Sequence, residues 1–305
     1  MNESLHTSRT LRAKLYTARR VFLKPPSLIQ RLRLYAEFRR FSREWDRTED
    51  FELKIRDVCA GADNPKIPRV PEAGAIRDGH LIMHNGLRIV PDSYTGPGMT
   101  RLLEKNRGVH EPQEEYAFGE VLAWLAARGA AAPTMIELGS YWAFYSLWFQ
   151  AVLPGGRSFC VEPDPENLDF GQQNFRANGR LGDFTQAYVG AEPANGTPPT
   201  ISVDSFLREK AIDHVDILHA DIQGYELEMV RGARETLARG AVDYIFISTH
   251  HNFLHYRCID ELKNAGYAIL AEADLLETCS TDGLIVAGRE GMPRLDRIAI
   301  TPRQV

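Results

Sequence analysis

The sequence predicts an α/β protein: a mostly parallel, Rossmann-like sheet of seven strands with helices on both faces, behind a helical and hairpin N-terminal extension. Three observations carry this. Residues 134–165 read as a buried strand, a glycine turn, a helix, a Pro-Gly-Gly break and a second strand ending in an acid, Glu162. From residue 134 onward apolar strands alternate with helical patterns, the signature of βαβ units. The last two apolar runs, 267–273 and 283–287, have no helix between them, so the final strand is expected to run antiparallel.

The opening unit resembles half of a nucleotide-binding fold. Gly139 is expected where backbone must pass close to a ligand. Glu162 follows it at about the twenty-residue spacing of a ribose-binding acid. A dinucleotide site would want further glycines, so that a pyrophosphate can rest on the helix N-terminus. Here Ser140, Tyr141, Trp142 and Ala143 follow instead, and no room for a pyrophosphate is expected.

With 305 residues, 44% hydrophobic and 25% charged, the chain has the composition of an ordinary globular protein with an adequate core. Its net charge of −5 argues against general polyanion binding. The charge is uneven: between Arg9 and Arg43 there are eleven Lys or Arg and one acid, Glu37. Cys59, Cys160, Cys258 and Cys279 form no Cys-x-x-Cys and read as small buried hydrophobes in a reducing compartment. No run approaches the roughly 18 apolar residues that span a bilayer. The N-terminus lacks the apolar core of a secretory signal. A cytoplasmic protein is expected, membrane-peripheral if the basic segment meets lipid.

In chain order, residues 1–75 read as a basic helical extension and linker. Leu28, Ile29, Leu32, Leu34, Tyr35, Phe38 and Phe41 recur at helical spacing among arginines. Such a helix packs on its own domain or on a second copy in a homo-oligomer, or faces anionic lipid or a phosphate-bearing acceptor. Nucleic acid fits less well, because basic and aromatic strands do not interleave. Residues 46–71 read as loop. Residues 76–110 form a hairpin and loop cap, with Asn85-Gly86 suggesting a type I′ turn and 93–99 a loop. Residues 111–290 form the main domain and 291–305 a tail. Helices are expected at Pro112–Arg128, 164–178, 204 onward, 225–239 and Asn252–Asn264. Strands are expected at 183–189, 200–203, 215–221 and 242–249.

Several segments together resemble the FkbM-type methyltransferases: MIELGSYWAFYSLWF, FCVEPDPENLDFGQQNF, ISVDSFL and VDILHADIQGYELEMVRGARETL. In that family the fourth strand ends Asp-x-Glu-Gly-x-Glu, followed by Arg-Gly-Ala or Lys-Gly-Ala. Here it is Asp221-Ile222-Gln223-Gly224-Tyr225-Glu226, then Arg231-Gly232-Ala233, and the likeness covers roughly residues 110 to 288. Two departures stand out. Tyr141-Trp142 replaces Ala-Asn, with Ala143 for a second glycine, and Gln223 replaces a glutamate. The resemblance implies a class I methyltransferase fold. It further implies transfer of a methyl group from S-adenosyl-L-methionine to a hydroxyl of a sugar, polysaccharide or glycolipid, in the manner of polysaccharide biosynthesis enzymes. A polyketide-type small-molecule acceptor and a NAD- or nucleotide-sugar-dependent oxidoreductase are the rivals; the missing glycines weigh against the latter.

Ligands collect at the carboxyl ends of strands in such sheets. The cofactor-binding candidates are Glu137, Gly139, Ser140, Tyr141, Glu162 and Asp221, with Glu111 and Tyr116 on the helix leading into the first strand. His250 is the candidate base, Asp221 the residue that orients the acceptor, and His251 an alternative that leaves the strand on its other face. Two ligand-type residues at one rim, Asp221 and His250, leave room for a divalent ion such as Mg2+ but do not by themselves make a site.

Overall fold

The computed structural model of the chain describes residues 48–129 and 132–303. The chain divides into two compact units, Met1–Glu52 and Leu53–Val305. The basic stretch between Arg9 and Arg43 lies outside the described residues. The described elements belong to the second unit, apart from the first residues of the helix that leads into it.

That helix, α1 (Thr48–Cys59), occupies sequence that reads as loop, and a 3-10 turn (Asn64–Lys66) comes after it. Ile55 and Val58, three apart in an otherwise polar segment, are both buried, and their spacing supplies the helical face. Strands β1 (Ile76–Arg77), β2 (His80–Ile82) and β3 (Arg88–Ile89) form a small antiparallel sheet. Leu81 pairs with Ile89 and Ile82 with Arg88. The turn between them is wider than the two-residue type I′ expected. Met83 N–H donates to the Leu87 carbonyl, and Gly86 has a φ of 87° while Asn85 stays out of the left-handed region. The expected loop at 93–99 ends early. Helix α2 (Pro97–Lys105) begins inside it, driven by Met99, Leu102 and Leu103 on one buried face.

Helix α3 (Pro112–Arg128) has the bounds its sequence predicts, with proline in the first turn and Gly129 at the end. Then come β4 (Thr134–Leu138), α4 (Phe144–Val152), β5 (Arg157–Val161) and α5 (Pro165–Ala177). Asp164 caps α5, accepting from the backbone of Glu166 and Asn167. The expected third strand is split. β6 (Asp183–Thr185) joins the main sheet, and β7 (Tyr188–Val189) leaves it to pair with β8 (Thr200–Ile201) in a separate two-stranded ladder. Helix α6 (Val203–Glu209) precedes β9 (Val215–Ala220).

The helix expected over 225–239 is two helices, α7 (Glu226–Gly232) and α8 (Arg234–Ala238). Asp204 of α6 accepts from the Glu235 and Thr236 N–H groups at 3.0 and 2.8 Å, so a side chain from another helix caps the break. Strand β10 (Val242–Thr249), α9 (Asn252–Asn264), β11 (Tyr267–Ala273) and β12 (Gly283–Arg289) complete the chain.

The main sheet has the order β11-β12-β10-β9-β4-β5-β6. Strands β6, β5, β4, β9 and β10 pair in parallel, and β12 runs antiparallel to both its neighbours, as the missing helix before it required. One face of the sheet packs Ile136, Leu218 and Ile245 against Phe206, Met229, Val230 and Leu262 of α6, α7 and α9. On the other face Phe118 of α3 meets Phe246 and Tyr145, ring centroids 5.3 and 4.9 Å apart. Three of the four cysteines are buried as expected, but Cys59 is exposed at the end of α1. Among the described residues no helix is long and apolar enough to cross a membrane.

Gly232 closes this packing. A Cβ there would overlap the carbonyl of Gly190 and come within 3.1 Å of the Ala191 carbonyl and the Ser202 Cβ. Ala is the better helix former by about 1 kcal/mol, so in an open helix Gly232→Ala would stabilise. Here the clash dominates, and urea denaturation of Gly232→Ala is expected to show a loss of about 1–3 kcal/mol. A gain in stability would contradict the packing described.

Candidate active site at the carboxyl edge of the sheet

The parallel strands deliver the ends of β4, β5, β9 and β10 to one edge, and with them Gly139, Glu162, Asp221 and His250. Antiparallel β12 brings its beginning to that edge: Gly283 pairs with Thr249, so Asp282 arrives beside His250. The start of α3 adds Glu111, Glu114 and Glu115. The cap adds Tyr94, whose ring stacks on Trp142 at 4.5 Å and 6°.

The turn after β4 is backbone-driven. Gly139 has a φ of 72°, and a Cβ there would run into the backbone carbonyl of Asp221. The approach of β9 by itself requires the glycine, whatever ligand the turn also admits. Tyr141 and Ala143 also hold positive φ, 41° and 57°. Ala143, with a side chain in the left-handed region, strains the turn by about 1–2 kcal/mol. Tyr141 and Trp142 are engaged by the cap. The Tyr141 hydroxyl accepts from Thr95 N–H at 3.3 Å, and Trp142 is buried under Tyr94.

Glu162 is buried and ties two loops together. Its carboxylate accepts from Tyr141 N–H at 3.2 Å, Asp164 N–H at 3.0 Å and the Asn167 amide at 3.5 Å. Burial raises its proton affinity, and these donors oppose the rise. A carboxylate has about four acceptor directions, so one remains for a ligand. Beside it the Ser140 hydroxyl is buried with no partner. An orphaned hydroxyl and an incompletely used carboxylate in the nucleotide crevice fit an adenosyl ligand.

His250 is the most constrained group at the edge. Its Nδ1 is 2.8 Å from Glu226 Oε1, which also accepts from Gly224 N–H at 2.8 Å. Its Nε2 lies 3.3 Å from Asp221 Oδ1 and 3.4 Å from Asp282 Oδ1, buried and without a hydrogen bond. Burial acts to discharge the ring, but Asp282, Glu226 and Asp221 outweigh it and raise its pKa to about 10. With its pKa so raised the ring favours its charged form, which donates protons, so the arrangement suits His250 to a donor's role as well as to the base expected of it. Asp221 takes the complementary place. Burial, then the charges of Asp282, Glu111 and Glu114, raise its pKa to about 7 against the pull of His250. Gln223 donates to Asp221 Oδ1 at 3.0 Å, giving the replaced glutamate position a positioning contact.

The acids of α3 are not a solvated helix start. Glu115 Oε1 lies 2.6 Å from His110 Nδ1 and Oε2 lies 3.2 Å from His84 Nε2. His110 Nε2 is 3.2 Å from Glu111 Oε2, which accepts from the Tyr145 hydroxyl at 3.0 Å. Burial opposes charge on His110, yet Glu111 and Glu115 raise its pKa to about 10; for Glu111, burial is overcome chiefly by His110, and its pKa falls to about 2. Glu114 bonds His219 at 2.7 Å and Ser248 at 3.0 Å. This chain of alternating charges runs from the cap into the edge. His110 belongs to it, and His84, whose proton affinity burial lowers, faces Glu115 at its cap end; no motif in the sequence marks either of them.

The remaining candidates are placed apart from the Asp221 group. Glu137 is buried in β4, accepting from Ser146 N–H at 2.9 Å, so it holds the start of α4. Tyr116 lies under the Lys66 ammonium, 4.8 Å from its ring centroid. His251 caps α9, its Nδ1 accepting from Phe253 N–H at 3.0 Å. His255 lies 2.9 Å from the Thr249 hydroxyl and 3.1 Å from Glu272. Among the described residues the grouping close enough for an ion is His214, Asp216 and Asp243, where β9 and β10 begin.

The folded pKa of His250 exceeds its unfolded value, so its contribution to stability is fully present below about pH 6.5 and is lost as pH rises through about 10. Histidine NMR titration is expected to show the His250 ring charged from pH 6 to about 9. A midpoint near the ordinary histidine value would remove the imidazolium from the site.

Residues 167–269 match the methyltransferase FkbM domain. That span includes Asp221 and His250, but not Glu162 or Asp282. Among curated proteins none matches. A solved precorrin-6y C5,15-methyltransferase from Geobacter metallireducens GS-15 is 16% identical, with a TM-score of 0.42, over 58% of this chain and 89% of that one. The N-terminal domain of human METTL16 in complex with SAH is 14% identical, with a TM-score of 0.42, over 58% and 70% of the two chains. Strand order and domain match agree: residues 167–269 are similar to the methyltransferase FkbM domain, within a seven-stranded mixed sheet of the kind typical of class I methyltransferases.

Proposed function

We propose that the protein is an S-adenosyl-L-methionine-dependent O-methyltransferase acting on a hydroxyl of a sugar, polysaccharide or glycolipid. The observation that carries the reading is a half-buried carboxyl, Asp221, 3.3 Å from the His250 ring at the carboxyl edge of the sheet, its proton affinity raised toward neutrality by burial and by neighbouring acids. A proton acceptor is most effective when its pKa lies near the working pH. The glycan acceptor is supported by the sequence resemblance. The basic stretch from Arg9 to Arg43 offers phosphate-bearing glycolipids, or the anionic surface that holds them, an electrostatic partner.

When bound, the cofactor supplies a methyl group already activated by its sulfonium. Glu162 and the Ser140 hydroxyl would hold the ribose side. His250 Nε2–H would donate to the acceptor oxygen and orient it, and Asp221 would take the hydroxyl proton as the oxygen attacks. Glu226, fixed by Gly224 N–H, keeps the His250 ring in the plane that makes this geometry available. Tyr94, whose proton affinity burial and then Glu111, Asp221 and Asp282 raise, stays a neutral phenol over the crevice.

Glu162→Ala is expected to weaken S-adenosylhomocysteine binding at least about tenfold by calorimetry, roughly the loss of one charge-assisted hydrogen bond; unchanged affinity would refute the ribose role. Asp221→Asn is expected to lower methyl transfer about 10²–10⁴-fold with cofactor affinity little changed. In the intact enzyme the rate should rise with pH through about 7, because the carboxylate is the active form. Mass spectrometry of glycans from cells with and without the gene identifies the acceptor, and a rate that falls through that pH range sinks Asp221 as the base.

A further inference from the structure

We propose that Asp282 is a positioning residue for the proton transfer: set across His250 from Asp221, it competes for the fixed imidazolium and leaves the Asp221 carboxylate incompletely neutralised and able to accept a proton. The inference rests on the reading of Asp221 as the base. Asp282 lies outside the matched domain segment, and reaches the edge because β12 is antiparallel.

The placement of Asp282 is built. Its loop is fastened to α3 by Gln113, a buried side chain that accepts from Cys279 N–H at 2.8 Å and donates to the Glu277 and Thr301 carbonyls at 2.9 and 2.8 Å. Within the loop Thr281 Oγ1 donates to Asp282 Oδ2 at 3.2 Å, leaving Oδ1 toward His250. The ring cannot swing toward either carboxylate, since Glu226 holds its other nitrogen at 2.8 Å. So Nε2 lies 3.3 Å from one oxygen and 3.4 Å from the other, bonded to neither.

Ordinary electrostatics then decides the proton affinity of Asp221. Glu226 holds Nδ1 in either case, and with Asp282 present the Nε2 side of the imidazolium is shared between two carboxylates, so Asp221 is incompletely neutralised. With Asp282 uncharged, the Nε2 side would face Asp221 alone, and the carboxylate would lose proton affinity. The other groups facing Asp221 are Glu111 and Glu114 from α3, the Gln223 amide and the Tyr94 phenol of the cap. Lys54 of α1 approaches the Asp282 loop through Thr281, at 3.5 Å. Glu111 is occupied by His110 and Tyr145, and Glu114 by His219 and Ser248. Glu226 takes the Nδ1 side of His250, and Asp282 is the acid that shares its Nε2 side with Asp221.

The test is a carbon-13 NMR titration of the full chain with labelled aspartate carboxyls, the Asp221 signal assigned by its loss in Asp221→Asn. The wild-type midpoint is expected at about 7. In Asp282→Asn it should fall by about one unit, a tenfold loss of proton affinity, and Asp282→Glu should restore most of it. If Asp282→Asn does not fold, Asp282→Ser removes the same charge with a smaller side chain. An Asp221 midpoint unmoved in a folded, uncharged variant overturns the role. The titration is run without cofactor or acceptor, so that result leaves the methyltransferase reading standing. Failure of the latter shows separately, as undiminished methyl transfer by Asp221→Asn.

Discussion

One buried imidazolium between carboxylates organises the carboxyl edge of this sheet. His250 cannot shed its proton while Glu226, Asp221 and Asp282 surround it, and Asp221 cannot ionise as readily as an exposed aspartate while Asp282, Glu111 and Glu114 lie near. Neither group would be tuned for chemistry alone. Each of the four comes from a different element: the end of β9, the start of α7, the end of β10 and the loop before β12. Holding them within hydrogen-bond range of one ring requires those elements to be packed correctly. The electrostatics of the site are therefore a readout of the fold.

The second charge chain, from Glu115 through His110 to Glu111 with the His84 ring beside Glu115, does for the cap what the first does for the sheet. Buried ion pairs add little net stability, but removing one partner is costly. The network fixes how the 76–110 segment meets α3, and so where Tyr94 lies relative to Trp142 and the turn after β4. The strained backbone at Tyr141 and Ala143 is held from both sides, by Glu162 below and by the cap above. Strain of this kind persists only where its surroundings over-determine it.

Much of the fold was legible in the sequence because local signals and burial agree. Strand β4 and helices α3 and α9 have the bounds their apolar patterns, proline and glycine positions imply. The antiparallel β12 was legible from a missing helix. Other elements depend on partners distant in sequence. The α7–α8 break is capped by Asp204, some thirty residues earlier, and β7 is drawn from the sheet by β8. Helices α1 and α2 were hidden because two or three buried residues decide them amid polar sequence. At the site, the rule of strand carboxyl ends located Glu162, Asp221 and His250. It missed Asp282, which precedes a strand running the other way. The choice between base and donor at His250 was not legible either, since the charge of that ring depends on three acids whose convergence only the fold creates.

Methyl transfer at this edge requires the crevice over β4, β5 and β9 to receive an adenosyl group beside the Asp221–His250 pair. A crystal structure of the protein with S-adenosylhomocysteine tests this most directly. The ribose hydroxyls are expected against Glu162, with the Ser140 hydroxyl engaged and the sulfur end directed toward Asp221. Ligand bound elsewhere, or a crevice kept closed by the Tyr94–Trp142 stack at saturating ligand, would contradict it.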